Sequence, residues 1–243
     1  MILKDSVVLI TGAATRVGRQ IALYLASQGA HIAFSYYLDN EPWQQTLADI
    51  ESYGVKGIAV QTEVRSSQQV QHLVASTLEM FGQIDVLINN ASIWLKSLFL
   101  DISEEDWDLA MDVNLKGAFL VSKAVAPVML QKQRGVIINI ADLSAFQVWP
   151  GYAHHSASKA GLVALTKSMA VELAPSVRVN AIAPGTVLLP ENAPPEKRQW
   201  AEEKSLLKRV GDPMDVARMA AFLIENDFTT GAVYFVDGGR SLV

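Results

Sequence analysis

Residues 7–26 read V-V-L-I-T-G-A-A-T-R-V-G-R-Q-I-A-L-Y-L-A, an apolar run, a glycine-bearing turn and a helical pattern. Gly12 can leave the strand through backbone angles closed to other residues, and Gly18, lacking a side chain, lets a helix start close to a bound diphosphate. The free N–H groups of that helix start would face phosphate oxygens, where the helix dipole also favours negative charge. Two glycines alone carry little weight. A second apolar run at His31 to Tyr37 completes a βαβ unit, however, and the expected ligand is then a dinucleotide.

Working outward, apolar β-type runs recur at Val7 to Ile10, Ile32 to Ser35, Gly57 to Val60, Val86 to Ile88, Val136 to Ile140, Val177 to Ile182 and Val233 to Val236. Helix-period segments separate most of them: Val70, Leu73, Val74, Thr77, Leu78 and Phe81 form one stripe within Ser66 to Phe81. Asp212-Pro213 opens another helix, with Val216, Met219, Ala220 and Leu223 as its apolar face. Strands this continuously hydrophobic imply helices on both faces of a parallel sheet. The expected fold is a single-domain, doubly wound α/β Rossmann fold over residues 1–243, with a seven-stranded parallel sheet. Pro184 to Lys197 is the least regular stretch and follows a strand, where ligand sites of such sheets lie, so 184–205 reads as a substrate loop and helix.

Composition narrows the function. In 243 residues, half of them hydrophobic, there is enough for one sizeable core. The 20 basic and 25 acidic residues leave a net charge of −5, so neither nucleic acid nor a membrane surface is an expected partner. The sequence offers no apolar run of bilayer-spanning length, and Met1 stands too near the first strand for a signal peptide. A cytoplasmic location is expected. With no cysteine and four histidines, two of them adjacent, no disulfide or recognisable metal site is expected.

N-N-A at Asn89 to Ala91, V-N at Val113-Asn114, Lys159 on the helix after the fifth strand, P-G at Pro184-Gly185 and D-G-G at Asp237 to Gly239 follow the glycine turn in order. With these motifs the chain resembles, end to end, the short-chain dehydrogenase/reductase family. That resemblance implies hydride transfer between a nicotinamide dinucleotide and a carbonyl, alcohol or imine-like carbon. It implies cofactor contacts at Gly12, Thr15, Arg16, Val17, Gly18, Tyr36, Glu63, Asn90, Ala91, Lys159, Pro184 and Gly185, with Asn114 among the catalytic residues. Arg16 in place of the turn's middle glycine, Asp142 in place of the catalytic serine, and N-N-A-S followed by Trp94 resemble the pteridine reductase-like branch. A flat, pterin-like substrate is then expected against Trp94, with Arg16, Ser92 and Tyr152 around it. A different ketone, a sugar or an acyl-carrier substrate is the alternative, and a catalytically silent dinucleotide-binding protein is another.

The second alternative arises because the family places tyrosine four residues before the lysine, whereas this chain has H-S-A-S-K, with His155 at that position. Reduction of C=O or C=N needs a proton donor opposite the hydride. A phenol of ordinary pKa near 10 needs a neighbouring ammonium for this, whereas an imidazole near 6.5 does not. His155 and Lys159, four apart, share a helix face. His155 is the expected acid, beside Asp142. Tyr152 stands second, because Tyr152 and Lys159 have the Y-x6-K spacing of the enoyl-acyl carrier protein reductases. A hydrolase triad is disfavoured by the lack of a G-x-S-x-G elbow.

NAD-preferring folds commonly end the second strand with an acid for the ribose hydroxyls, but Tyr36 holds that place. NADP(H) is the expected cofactor, with Glu63 near the adenine, although no arginine neighbours Tyr36 in sequence. Family resemblance also implies a homotetramer, with the segment G-G-R-S-L-V near a subunit boundary.

Overall fold

The computed structural model describes residues 1–190 and 192–243. Strands β1 (Val7–Ile10), β2 (His31–Tyr36), β3 (Gly57–Gln61), β4 (Val86–Asn89), β5 (Gly135–Ile140), β6 (Val177–Pro184) and β7 (Val233–Val236) form one sheet. Their order is β3-β2-β1-β4-β5-β6-β7 and every pairing is parallel. The doubly wound fold follows from the strand pattern as expected, with several strands running one or two residues beyond the apolar cores that announced them.

The period-two alternation of the strands feeds two cores. Val8, Ile10, Val86, Ile88, Val136 and Ile138 point to one face, and Leu9, Leu87 and Ile137 to the other. On the first face lie α1 (Arg16–Ser27), α2 (Trp43–Glu51) and α8 (Pro213–Glu225); on the second lie α3 (Ser67–Phe81), α5 (Ala118–Gln131) and α6 (Ala153–Leu173). Each fully buried Leu or Ile of these strands contributes about 1.5–3 kcal/mol by leaving water. The caps agree with the sequence. Ser66 accepts from Gln69 N at the start of α3, and Gly82, at φ 68°, ends it in the left-handed region. Asp212 accepts from Met214 N at 2.7 Å while Asp215 accepts from Asp212 N at 3.0 Å, a reciprocal cap around Pro213 that the reading of Asp212-Pro213 had only half described.

The helical stretch Glu104–Gln131 is 28 residues long and contains an 18-residue window of mean hydropathy 1.3, which by length and composition alone would pass for a membrane span. Its apolarity serves the core instead: Val121, Val125 and Met129 pack, fully buried, against the sheet. Within it, α4 (Glu104–Met111) and α5 are joined by one wide π turn, Asp112–Gly117. The remaining helix, α7 (Pro195–Glu203), lies in the 184–205 segment read as a substrate loop and helix. Because β1 leads outward through β2 to β3 and β4 leads the other way to β7, a crevice opens at the carboxyl ends of the strands where the order reverses.

Candidate active site

At the β1–α1 turn, Gly12 has φ +63°, the left-handed conformation expected of it. Asn90 Nδ2 donates to the carbonyls of Thr11 (2.9 Å) and Gly12 (2.8 Å), and the N–H groups of Asn90 and Ala91 both donate to Thr11 Oγ1 at 3.0 Å. The N-N-A segment thus braces the turn as well as lining the crevice. Gly18 is also needed for a reason within the chain: a Cβ there would lie 2.5 Å from the Gly12 carbonyl oxygen and collide with the Asn90 amide. Its missing side chain lets the chain pack on itself. Arg16, where the family's middle glycine would be, also has a left-handed φ of +54°. Thr15 makes no side-chain cap and the first turn of α1 holds no acid, so its N–H groups stay available to an anion, as a diphosphate requires.

A cavity of about 1190 Å³ runs from Tyr36 and Glu63 past this turn to His155 and Lys159, and on to Pro184, Gly185 and Trp200. It is larger than one drug-sized ligand needs, and accommodates a dinucleotide with a small substrate beside it. Thr15, Arg16, Val17, Ser92, Trp94, Asp142 and Tyr152 line it too. At the far end Tyr36 is buried and stacked on Trp43, with centroids 5.0 Å apart. Glu63 is already paired: its carboxylate accepts from the Arg65 guanidinium at 2.7 Å and from Arg65 N at 3.1 Å. Those bonds, above all the side-chain one, hold its carboxyl below the usual range against the opposing effect of burial. The adenine contact expected of Glu63 would therefore have to share it with Arg65, which the structure adds to this end of the cavity.

At the other end, Lys159 is buried and its Nζ donates to Ile140 O at 2.9 Å. Burial lowers its pKa to about 8, with Asp142 opposing. One turn earlier on α6, His155 is only 2% exposed. Its Nδ1 lies 3.2 Å from Ile93 O, a pure acceptor, so the neutral ring that fits carries its proton there. Its Nε2 then faces Asp142 Oδ2 at 3.9 Å and has no hydrogen-bond partner among the described residues. Asp142 is raised by burial, but His155, the Ser144 N–H at 2.7 Å and Lys159 outweigh this and hold the carboxyl below its ordinary range.

Asn114 does not line the cavity. It is 1% exposed, within the π turn, and ties the neighbouring pieces together. Its Oδ1 accepts from Ile93 N (2.8 Å) and Ser92 Oγ (3.0 Å), while its Nδ2 donates to Ser158 Oγ (3.1 Å) and lies 3.3 Å from His155 Nδ1. Ser158 in turn donates to the backbone carbonyl of His155 at 2.7 Å, not to the ring, so no serine–histidine couple forms there. Tyr152 belongs to an aromatic wall. The half-exposed Trp94 ring lies 4.3 Å from that of His155, 4.7 Å from Tyr152 and 5.9 Å from Trp149.

Three residues of this end were not picked out from the sequence: Trp149, Trp200 and Arg240, all of which line the cavity. The signals were coarse: Trp200 lies within 184–205, read as a substrate loop and helix, and Arg240 belongs to the G-G-R segment expected near a subunit boundary.

A family model described as Enoyl-(Acyl carrier protein) reductase matches residues 12–241. The 3-oxoacyl-acyl-carrier-protein reductase of Synechocystis sp. is 38% identical over 244 residues, covering 98% of this chain and 97% of the relative. That of Thermotoga maritima is 36% identical over 244 residues, covering 98% and 99%. Among solved structures, a short-chain dehydrogenase/reductase from Serratia marcescens superposes with a TM-score of 0.93 at 29% identity, covering 99% of this chain and 100% of that one.

Proposed function

We propose a function from the premise that the chain belongs to the short-chain dehydrogenase/reductase family and is an NAD(P)-dependent oxidoreductase: it reduces the carbonyl of a small substrate with NADP(H), using His155 as the proton donor. When bound, the nicotinamide supplies the hydride. The open N–H groups of α1 and the Gly12 turn would hold the diphosphate, and Lys159, with donors beyond its bond to Ile140 O, would hold the neighbouring ribose. The preference for NADP(H) is supported by Tyr36 at the place of the ribose-binding acid, and by Arg16 and Arg65 on the cavity wall.

The observation that carries the reading is the buried Nε2 of His155, unpartnered among the described residues and facing Asp142 on the cavity wall. A protonated ring would present an N–H there, on the side of the Asp142 carboxylate. The Ile93 carbonyl, whose residue is itself tied down by Asn114, keeps the ring from turning. The relatives named for 3-oxoacyl substrates support a ketone of that kind over the pterin-like substrate. The flat heterocycle keeps one observation in its favour, the half-exposed Trp94 ring beside Tyr152.

The test is NADPH consumption over a 3-oxoacyl thioester, a simple ketone and a dihydropterin, with NADPH affinity measured in parallel. His155→Phe should lose about 100-fold or more in rate with cofactor affinity intact, and His155→Tyr should retain or raise activity. Undiminished activity of the Phe variant would refute the acid role. Cofactor binding by wild type without turnover, with only the Tyr variant active, would instead support a silent dinucleotide-binding protein.

A further inference from the structure

Arg240 takes no part in the chemistry above, yet its guanidinium is held in an unusual way. Its central carbon lies 4.9 Å from the Trp149 ring centroid and 4.8 Å from that of Trp200. The first ring comes from the loop between β5 and α6, the second from α7. The guanidinium thus lies over two indole rings at once, contacts that use its π-facing charge and leave its N–H fork for hydrogen bonds.

Little of that fork is used by the protein. Among the described residues the side chain makes one hydrogen bond, to Thr186 Oγ1 at 2.6 Å, out of five N–H donors. The two carboxylates whose charge acts on it, Asp142 and Asp237, are committed elsewhere. Asp237 accepts from Gly239 N at 3.0 Å and Ser241 N at 2.7 Å; Asp142 accepts from Ser144 N and faces His155. None of the ion pairs among the described residues includes Arg240. The result is a half-buried cation on the cavity wall with donors to spare. Trp149 links it to the reacting end, since its ring lies 5.9 Å from Trp94, whose ring lies 4.3 Å from His155.

We propose that Arg240 is the charge anchor for the substrate, taking through its N–H edge a carboxylate carried a short distance from the carbonyl that is reduced. The substrate class is then a small oxo acid, a conclusion that rests on the reductase reading for the carbonyl but not for the carboxylate. A carboxylate matches the planar fork in two parallel bonds. A residue serving only to latch Trp149 to Trp200 would make no distinction between an acid and its ester.

The protein saturated with NADP⁺, which cannot reduce a ketone, is titrated with benzoylformate and with its methyl ester, following tryptophan fluorescence. Wild type should bind the acid about tenfold or more tighter than the ester. Arg240→Gln should abolish that ratio while leaving ester affinity within about twofold, and Arg240→Lys should keep part of it. If the Gln variant does not fold, the partial ratio in the Lys variant carries the same reading. Equal binding of acid and ester by wild type, binding of neither, an unchanged ratio in the Gln or Lys variant, or equal loss of both ligands would overturn the proposal. The same mixtures with NADPH separate the two readings: a preference for the acid without turnover leaves the anchor standing and removes the reductase.

Discussion

Near Gly12 the cleft is braced by two short loops, with Asn90 and Ala91 bonded to the backbone and hydroxyl of Thr11 and to the carbonyl of Gly12. Near His155 the wall is assembled from side chains of four separated segments, carrying Trp94, Asp142 with Trp149, Trp200 and Arg240, with the buried Asn114 behind it. The first end specifies backbone shape, so its indispensable residues are the ones without side chains. The second specifies a set of functional groups, so single residues can change there while the frame persists. His155 is such a change: its ring is held by the carbonyl of Ile93, a residue that Asn114 fixes from another element.

The comparison can be broken where a side chain holds several segments at once. Asn114→Ala should cost about 3 kcal/mol in denaturant unfolding, because Ile93 N and Ser158 Oγ lose a buried partner. Reduction should fall with it while NADPH affinity changes little. A loss below 1 kcal/mol, checked against the flag of about 1–3 kcal/mol per unpaired buried group, would show that the catalytic end is held by packing instead.

A smaller effect, of opposite sign, is expected at Lys159. The drop from 10.5 to about 8 means that the folded protein binds this proton less well than the unfolded chain. At about 1.36 kcal/mol per pKa unit, the buried ammonium costs about 3 kcal/mol at pH 7. Lys159→Met should therefore be more stable by about 2 kcal/mol at pH 7 after loss of the bond to Ile140 O, though inactive. Between pH 8 and 10.5 the unfolded wild-type chain holds more protons than the folded one, so wild-type stability rises relative to the variant and the gap closes. Melting curves at pH 7 and pH 10 check both the sign and the closure.

The smallest effect tests the glycine-turn end. Arg16→Gly removes a side chain from a left-handed position and should gain about 0.5–1 kcal/mol, strain relief less the added freedom of the unfolded chain. If the guanidinium serves the phosphates, NADPH affinity should fall in the same variant when titrated. Unchanged affinity would leave Arg16 with no cofactor role and sharpen the view that this end works through its backbone.

The same contrast explains what was legible. The turn, the strands and the caps follow from residues a few positions apart, so the fold and the Gly12 region could be read directly. Asp142, His155 and Lys159 were found because they keep the order and spacing of family motifs. Trp149, Trp200 and Arg240 converge only after β5, β6 and β7 are laid side by side, and no local pattern announces that Arg240 will meet two indoles. Asn114 was identified, but its place behind the wall depends on a helix irregularity that periodicity smooths over.

That irregularity, the π turn Asp112–Gly117, makes the site sensitive to counting. A π turn closes one residue later than an α turn, so it behaves as a single inserted residue within an otherwise regular helix. Deleting one residue between Asp112 and Gly117 would let α4 and α5 join as an uninterrupted α-helix, the flanking turns keeping their places while the side chains of the segment itself take new directions. Asn114 would then swing away from Ile93 and Ser158 with no change in hydrophobic composition. The spacing of this segment is thus as much a catalytic specification as the identity of any residue in it, and a chain that kept every motif but lost that extra residue would keep the fold and lose the grip on His155.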